Sequence, residues 1–188
     1  MKPWTRKSGI MRGTRFQTVL EPLEREMLGD SAATISDHLM ERVRTAPKDE
    51  LSELTGMTPG HAEPPADPGL ARLLPSFFRE GDEEVEGEAA LTRQLTETDI
   101  IREKLRNLRL IGDRLGPDGS VAVTLGPEEA RVWLGAVNDV RNYHAAQLDR
   151  FREELGPDSE QVQAADNYLE WLGFHQDSLL TAMMGELP

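Results

Sequence analysis

The chain has 188 residues, of which 38% are apolar, 29% charged and 5% aromatic, with a net charge of −13 and no cysteine. At that length a single domain can bury roughly 70% of its unfolded surface, and the lack of cysteine excludes disulfides, thiolate metal sites and thiol redox chemistry. No apolar run approaches membrane-spanning length and no signal-like apolar segment follows the basic N-terminus, so the expectation is a cytoplasmic chain without membrane association.

The first twenty residues carry Lys2, Arg6, Lys7, Arg12 and Arg15 and no acid, which leaves −18 on the remainder of a chain totalling −13. Such a body repels phosphate backbones and argues against direct nucleic-acid binding by the folded part. Residues 1–15 read as a basic disordered tail, and 16–188 as one mainly helical domain.

Phe16-Gln17-Thr18-Val19-Leu20 alternates apolar and polar side chains, the period of a half-buried strand. Ser120-Val121-Ala122-Val123-Thr124-Leu125 repeats it. Both strands exit through a shared Leu-x-Pro-x-Glu, Leu20-Glu21-Pro22-Leu23-Glu24 and Leu125-Gly126-Pro127-Glu128-Glu129. Proline suits the first helical position and glutamate the first turn, where it meets the positive end of the helix. A lone strand leaves its backbone groups unpaired, so the two are expected to pair as a small two-stranded sheet.

Pro22 to about Thr45 has apolar residues at helical spacing, with Gly29-Asp30-Ser31 as a possible break. Lys48–Leu54 reads as one or two helical turns. Seven of the fourteen positions 56–69 are Gly or Pro, too many for regular structure, so this is a surface loop. Leu70–Leu74 reads as a short helix ended by Pro75, with Phe77 and Phe78 tucked beneath the loop. Six acids in the nine positions 80–88 lack the ligand spacing of a calcium loop and read as a solvated acidic helix start, able to steer a basic partner. Thr96-Glu97-Thr98-Asp99 has the form of a capping box before a helix carrying Ile101, Leu105, Leu108, Ile111 and Leu115.

The last third draws a helical hairpin, Pro127–Leu155 and Pro157–Met184, joined by Leu155-Gly156-Pro157. One seam reads Trp133, Val137, Val140, His144, Leu148, Phe151, Leu155. The other reads Val162, Ala165, Leu169, Leu172, Gln176, Leu179, Met183. Each has one polar interruption, His144 or Gln176, which needs a hydrogen-bond partner if buried. The fold class expected is mainly α: a helical bundle with a long C-terminal hairpin and one small sheet.

Chemically the sequence is sparse. His38, His61, His144 and His175 form no zinc-type spacing, and no glycine-rich phosphate loop or nucleophile elbow is present. No catalytic, cofactor or metal residues are assigned. Asn138-Asp139-Val140-Arg141 is the polar cluster that stands out on the hairpin. Asp139 and Arg141, two apart, cannot face each other on a helix, so each must look elsewhere, for instance toward Arg102 or Asp177. Asn138, Asp139, Arg141 and Gln176 are the candidate partner-binding residues.

Four segments together carry a family resemblance: Asp67 to Pro75, Arg93 to Glu97, Trp133 to Arg141, and Tyr168 to Leu180. In that order and spacing they resemble the actinobacterial family of the oxidative-stress transcriptional regulator AosR, formerly known as a domain of unknown function. The resemblance spans about Phe16 to Met184. It implies a non-enzymatic, cytoplasmic regulator acting through a protein partner, a sigma factor or the transcription machinery. An accessory or adaptor role in Clp-type proteolysis is the alternative, because family genes tend to lie beside that of the Clp adaptor; a homo-oligomer stays open. Regulation in the named member is associated with cysteine oxidation, which cannot be carried over to any position of this cysteine-free chain.

Overall fold

The repeated Leu-x-Pro-x-Glu segments become two matching strand-to-helix exits. In the computed structural model, which describes residues 1–9, 13–47, 59–76, 78, 87–116 and 119–185, strand β2 (Gly13–Val19) leads into helix α1 (Pro22–Arg44), and strand β3 (Ala122–Leu125) into helix α4 (Pro127–Leu155). At each exit the third residue past the cap reaches back. Glu24 Oε2 accepts from the Glu21 N–H at 2.6 Å, and Glu129 Oε2 from the Gly126 N–H at 2.7 Å. The strands pair with each other as expected, and the pairing is antiparallel, in a register that sets Phe16 opposite Leu125 and Val19 opposite Ala122. Phe16, Thr18, Leu20, Val123 and Leu125 are buried on one face.

A third strand corrects the reading of residues 1–15 as a disordered tail. Strand β1 (Thr5–Gly9) pairs antiparallel with β2, from Thr5 opposite Gln17 to Gly9 opposite Gly13, so the sheet has three strands in the order β1-β2-β3. Trp4, just ahead of it, is core at 4% exposure. All five residues of β1 are exposed, so the strand has no apolar alternation to announce it; backbone pairing to β2 makes it.

Helix α1 runs unbroken through Gly29-Asp30-Ser31, with Leu28, Ser31, Ala32, Ile35 and Leu39 on its buried face. The roughly 1 kcal/mol cost of a mid-helix glycine is outweighed by packing of that face on α3 (Glu88–Leu115). The Arg25 guanidinium fixes the pair, donating to the Ser120 and Leu115 carbonyls at 3.1 and 3.2 Å. The Thr96 capping box is a second correction. Helix α3 begins nine residues earlier, after Gly87 at φ +84°, and Thr96 Oγ1 donates to the Thr92 carbonyl inside it. Helix α2 (Pro68–Leu73) is capped by Asp67, whose Oδ1 accepts from the Leu70 N–H at 2.8 Å. The turn at Gly156, φ +82°, leads into α5 (Glu160–Met184), capped by Ser159.

Helix α4 is the hub. It packs on α5, α2, α3, α1 and the sheet, and through it the C-terminal hairpin rests on α3 as expected. The helix expected over Lys48–Leu54, the start of the 56–69 loop, Phe77 and the acidic run 80–86 lie outside the described residues. No helix among those described is long and apolar enough to cross a membrane.

Candidate functional site

Asn138 sits where three surface hollows meet. One, of about 360 Å³, lies between α2, α3 and α4, with Leu73, Leu74 and Ile100 as apolar lining and Arg93, Lys104 and Asn142 around them. A second, of about 520 Å³, runs along α4 and α5 past Leu134, Gly135, Arg141 and Leu180. The third, beside Asn107 and Gly135, joins them.

Three of the four candidate residues come together at this surface. Gln176 of α5 donates from Nε2 to Asn138 Oδ1 and accepts at Oε1 from Arg141 Nη1, both at 3.4 Å, which ties the two hairpin helices in an exposed polar triad. Asp139 is not among them. One residue on from Asn138, it turns roughly 100° around the helix, into the cleft with α3, where it is 8% exposed and accepts from Lys104 Nζ at 2.8 Å. Arg102 instead pairs with Asp99 on its own helix.

Behind the first hollow lies an ionic cluster that sequence spacing did not reveal. Glu97, 2% exposed, accepts from Arg42 Nε at 3.0 Å and Nη2 at 3.1 Å, and from Arg93 Nη1 at 3.4 Å. The His61 N–H adds a bond at 3.2 Å, and Arg93 also donates to the Leu74 carbonyl at 2.9 Å. A carboxylate removed from water is tolerated here because every face of it meets a donor. The backbone of Gly60 lies so close that a Cβ there would stand 2.7 Å from Glu97 Cβ. The one signal in the sequence was Arg93 four residues ahead of Glu97.

A second unforeseen feature is a line of rings. Trp4 stands 6.0 Å edge-on from Trp133 and 5.5 Å from His175, and Trp171 lies 5.3 Å beyond His175. Tyr168 stacks on Trp171 at 5.7 Å and 11°. His144 then bridges Tyr168, at 5.2 Å, to Tyr143, at 5.6 Å, and His38 closes the line 5.9 Å from Tyr143. Every tryptophan and tyrosine of the chain belongs to it.

Apart from Trp4 Nε1, which has no partner among the described residues, the polar atoms of these rings meet specific neighbours. Trp133 Nε1 donates to His175 Nε2 at 2.8 Å, and Trp171 Nε1 to Glu24 Oε1 at 2.7 Å. Tyr143 O–H and His38 Nδ1 are 2.8 Å apart. Ser31 Oγ sits between Tyr168 Oη at 3.0 Å and His144 Nε2 at 2.9 Å. His144 therefore has the partner its place in the seam required. On α5 the buried polar residue is His175, fully enclosed, and not Gln176, which is part of the surface triad. Burial pushes the His175 imidazole down to about 3 and lowers His144, while it raises the Tyr168 phenol to about 12 and lifts Tyr143 with help from Asp67. Burial works to raise Glu24 too, but hydrogen bonds from the terminal amine, the Glu21 N–H and Trp171 outweigh it and hold the carboxylate below its ordinary range. No three His, Asp or Glu side chains among the described residues converge as metal ligands.

A helical protein with a small N-terminal sheet, a C-terminal hairpin and a grooved α4 is thus defined, and its sequence places it in a family. The chain belongs to the family described as Domain of unknown function (DUF2017), which matches residues 1–183. It is 35% identical over 185 residues to the "Oxidative stress regulator AosR" of Mycobacterium bovis and of Mycobacterium tuberculosis, covering 92% of this chain and 84% of each relative. To the "Putative oxidative stress regulator AosR" of Mycobacterium leprae it is 30% identical over 195 residues, 98% of this chain and 89% of that one. No solved structure matches it significantly.

Proposed function

We propose that this chain is a non-enzymatic regulator of the AosR kind, which acts by binding a protein of the transcription machinery, a sigma factor foremost, through the α4–α5 face around Asn138, Arg141 and Gln176. The relatives' name supports the regulatory role. The observation that carries the face is the exposed Asn138–Gln176–Arg141 triad. Its bonds are long, 3.4 Å each, so a partner's groups can replace them at small cost. Leu134 and Leu180, the latter 43% exposed, flank it in the same hollow with apolar surface. Arg141 offers a cation whose described contact is a neutral amide, suited to a carboxylate on the partner. With no cysteine in the chain, binding is indifferent to thiol oxidants.

The test is affinity capture from an actinobacterial lysate with mass spectrometry, with and without a thiol oxidant, repeated with Arg141→Ala and Gln176→Ala. Expected is enrichment of a sigma factor or polymerase subunit, unchanged by the oxidant and reduced severalfold by either substitution. Enrichment of Clp components instead would move the chain to the proteolysis role. Capture untouched by both substitutions in folded protein would remove this face.

A further inference from the structure

Hydrogen bonding in the aromatic line has a regularity that packing does not require. Buried N–H and O–H groups need an acceptor, and a backbone carbonyl serves as well as any. Here the side-chain acceptors can take a proton: Glu24 for Trp171, His175 for Trp133, His38 for Tyr143, and, for Tyr168, which also donates to the Met27 carbonyl at 3.3 Å, His144 one hydroxyl beyond, through Ser31. Trp4 is the exception, its Nε1 having no partner among the described residues. A ring oxidised by one electron becomes a strong acid. It is stabilised where its proton has a nearby base, so this arrangement lowers the cost of oxidising each such ring.

We propose that Trp171, Tyr168 and Tyr143 form a one-electron donor chain, which surrenders an electron to an oxygen- or nitrogen-centred radical at the surface and settles the electron hole on Tyr143. Trp171 is partly exposed and is the entry. The radical takes one electron and becomes an anion, while the Trp171 Nε1–H bond breaks and its proton passes to Glu24. An electron from Tyr168, stacked at 5.7 Å, then refills the indole, which recovers its proton from Glu24, while the Tyr168 O–H proton shifts to Ser31 Oγ as the Ser31 proton shifts to His144 Nε2. Tyr143 finally supplies that electron, and the two shifted protons return, restoring Tyr168, Ser31 and His144. The Tyr143 O–H bond breaks, an N–H bond forms at His38 Nδ1, and the products are a neutral tyrosyl radical, a histidinium and the reduced oxidant. The end point is favoured because His38 is exposed and can release the proton to solvent, whereas the Tyr168 hydroxyl faces the buried Ser31 hydroxyl and the Met27 carbonyl and reaches the half-buried His144 only through Ser31. The inference stands apart from the partner-binding face, since it is read on the purified protein alone.

The experiment is flash photolysis of the full chain with a ruthenium tris-bipyridine photo-oxidant, following the distinct absorptions of tryptophanyl and tyrosyl radicals. In the unaltered protein the tryptophanyl signal should decay as the tyrosyl signal grows. His38→Ala, at an exposed position, should slow that growth severalfold without altering the first oxidation. Tyr143→Phe/Tyr168→Phe keeps both rings in place and should strand the radical as a long-lived tryptophanyl, while Trp171→Phe should cut the yield of tyrosyl. A tryptophanyl lifetime that is the same in the double variant as in the unaltered protein would overturn the proposal. So would tyrosyl growth indifferent to His38→Ala. Thermal melts of each variant keep loss of folding distinct from loss of transfer.

Discussion

His175 is the residue on which burial acts hardest, and its pH consequence has a definite sign. Unfolded, the imidazole takes a proton below its ordinary value of 6.5; folded, it resists until about 3. The unfolded state therefore binds more protons in that window, and stability falls as the pH drops through it, by about 1.4 kcal/mol per unit from this one group. Denaturant melts between pH 7 and pH 4 should show that slope, reduced in His175→Gln. Its partner Trp133 is fully buried, so Trp133→Ala should cost about 3–5 kcal/mol, read as a large fall in melting temperature. Glu97→Ala leaves Arg93 and Arg42 facing each other without their shared carboxylate and should cost about 3–5 kcal/mol as well. Trp133, Leu172 and Leu179 were legible as core from spacing alone, and all three have no exposure. The buried Tyr168 and His175 were not, because Leu169 and Gln176, one position further on, satisfy the same three-and-four rhythm and are more apolar or equally polar. Periodicity fixes a face to within a residue; which of two neighbours turns inward is decided by what waits on the other side, here Ser31 and Trp133.

Among the elements, α1 and α4, which leave a strand through a proline-led start, were the most legible, because strand, cap and first turn all announce themselves within a few residues. Strand β1 was hidden for the opposite reason: with both of its faces in water, its existence depends on a partner strand. The start of α3 was misplaced because Thr96 and Asp99 satisfy a local capping pattern, whereas the Arg93–Glu97 pair, buried against Arg42, extends the helix ahead of it. Helix α2 offers a sharp test of how elements are held together. Gly69 lies against Tyr143, and a Cβ there would stand 2.5 Å from the ring. Gly69→Ala should therefore force α2 off α4 or displace the ring, at about 1–3 kcal/mol. Hydrogen exchange would show this as lost protection in α2 and adjacent α4, with α5 unaffected.

At the scale of the whole molecule the charge division survives, but its setting changes. Arg6 and Lys7 lie on an exposed strand, and Arg15 on its neighbour. Binding to duplex DNA should be weak and vanish in moderate salt, since few cations can engage phosphates against a strongly acidic body; titration at two ionic strengths checks it. Deleting residues 1–9 should lower the melting temperature clearly, because Trp4 leaves the core and β2 loses a neighbour. Part of the candidate site was visible beforehand, in that three of its four residues, Asn138, Arg141 and Gln176, do meet. The fate of Asp139 was not, since its partner Lys104 lies 35 residues away on another helix. The sheet separates its strands further still: Gln17 and Thr124, bonded side by side, are 107 positions apart. On a ribosome adding roughly 5–20 residues per second, the β1–β2 ribbon is finished some five to twenty seconds before the strand that covers its open edge exists. For that interval the newborn chain presents an unpaired row of backbone groups, and its protection rests on the positive side chains of the ribbon, which repel the identical ribbon of a neighbouring nascent chain.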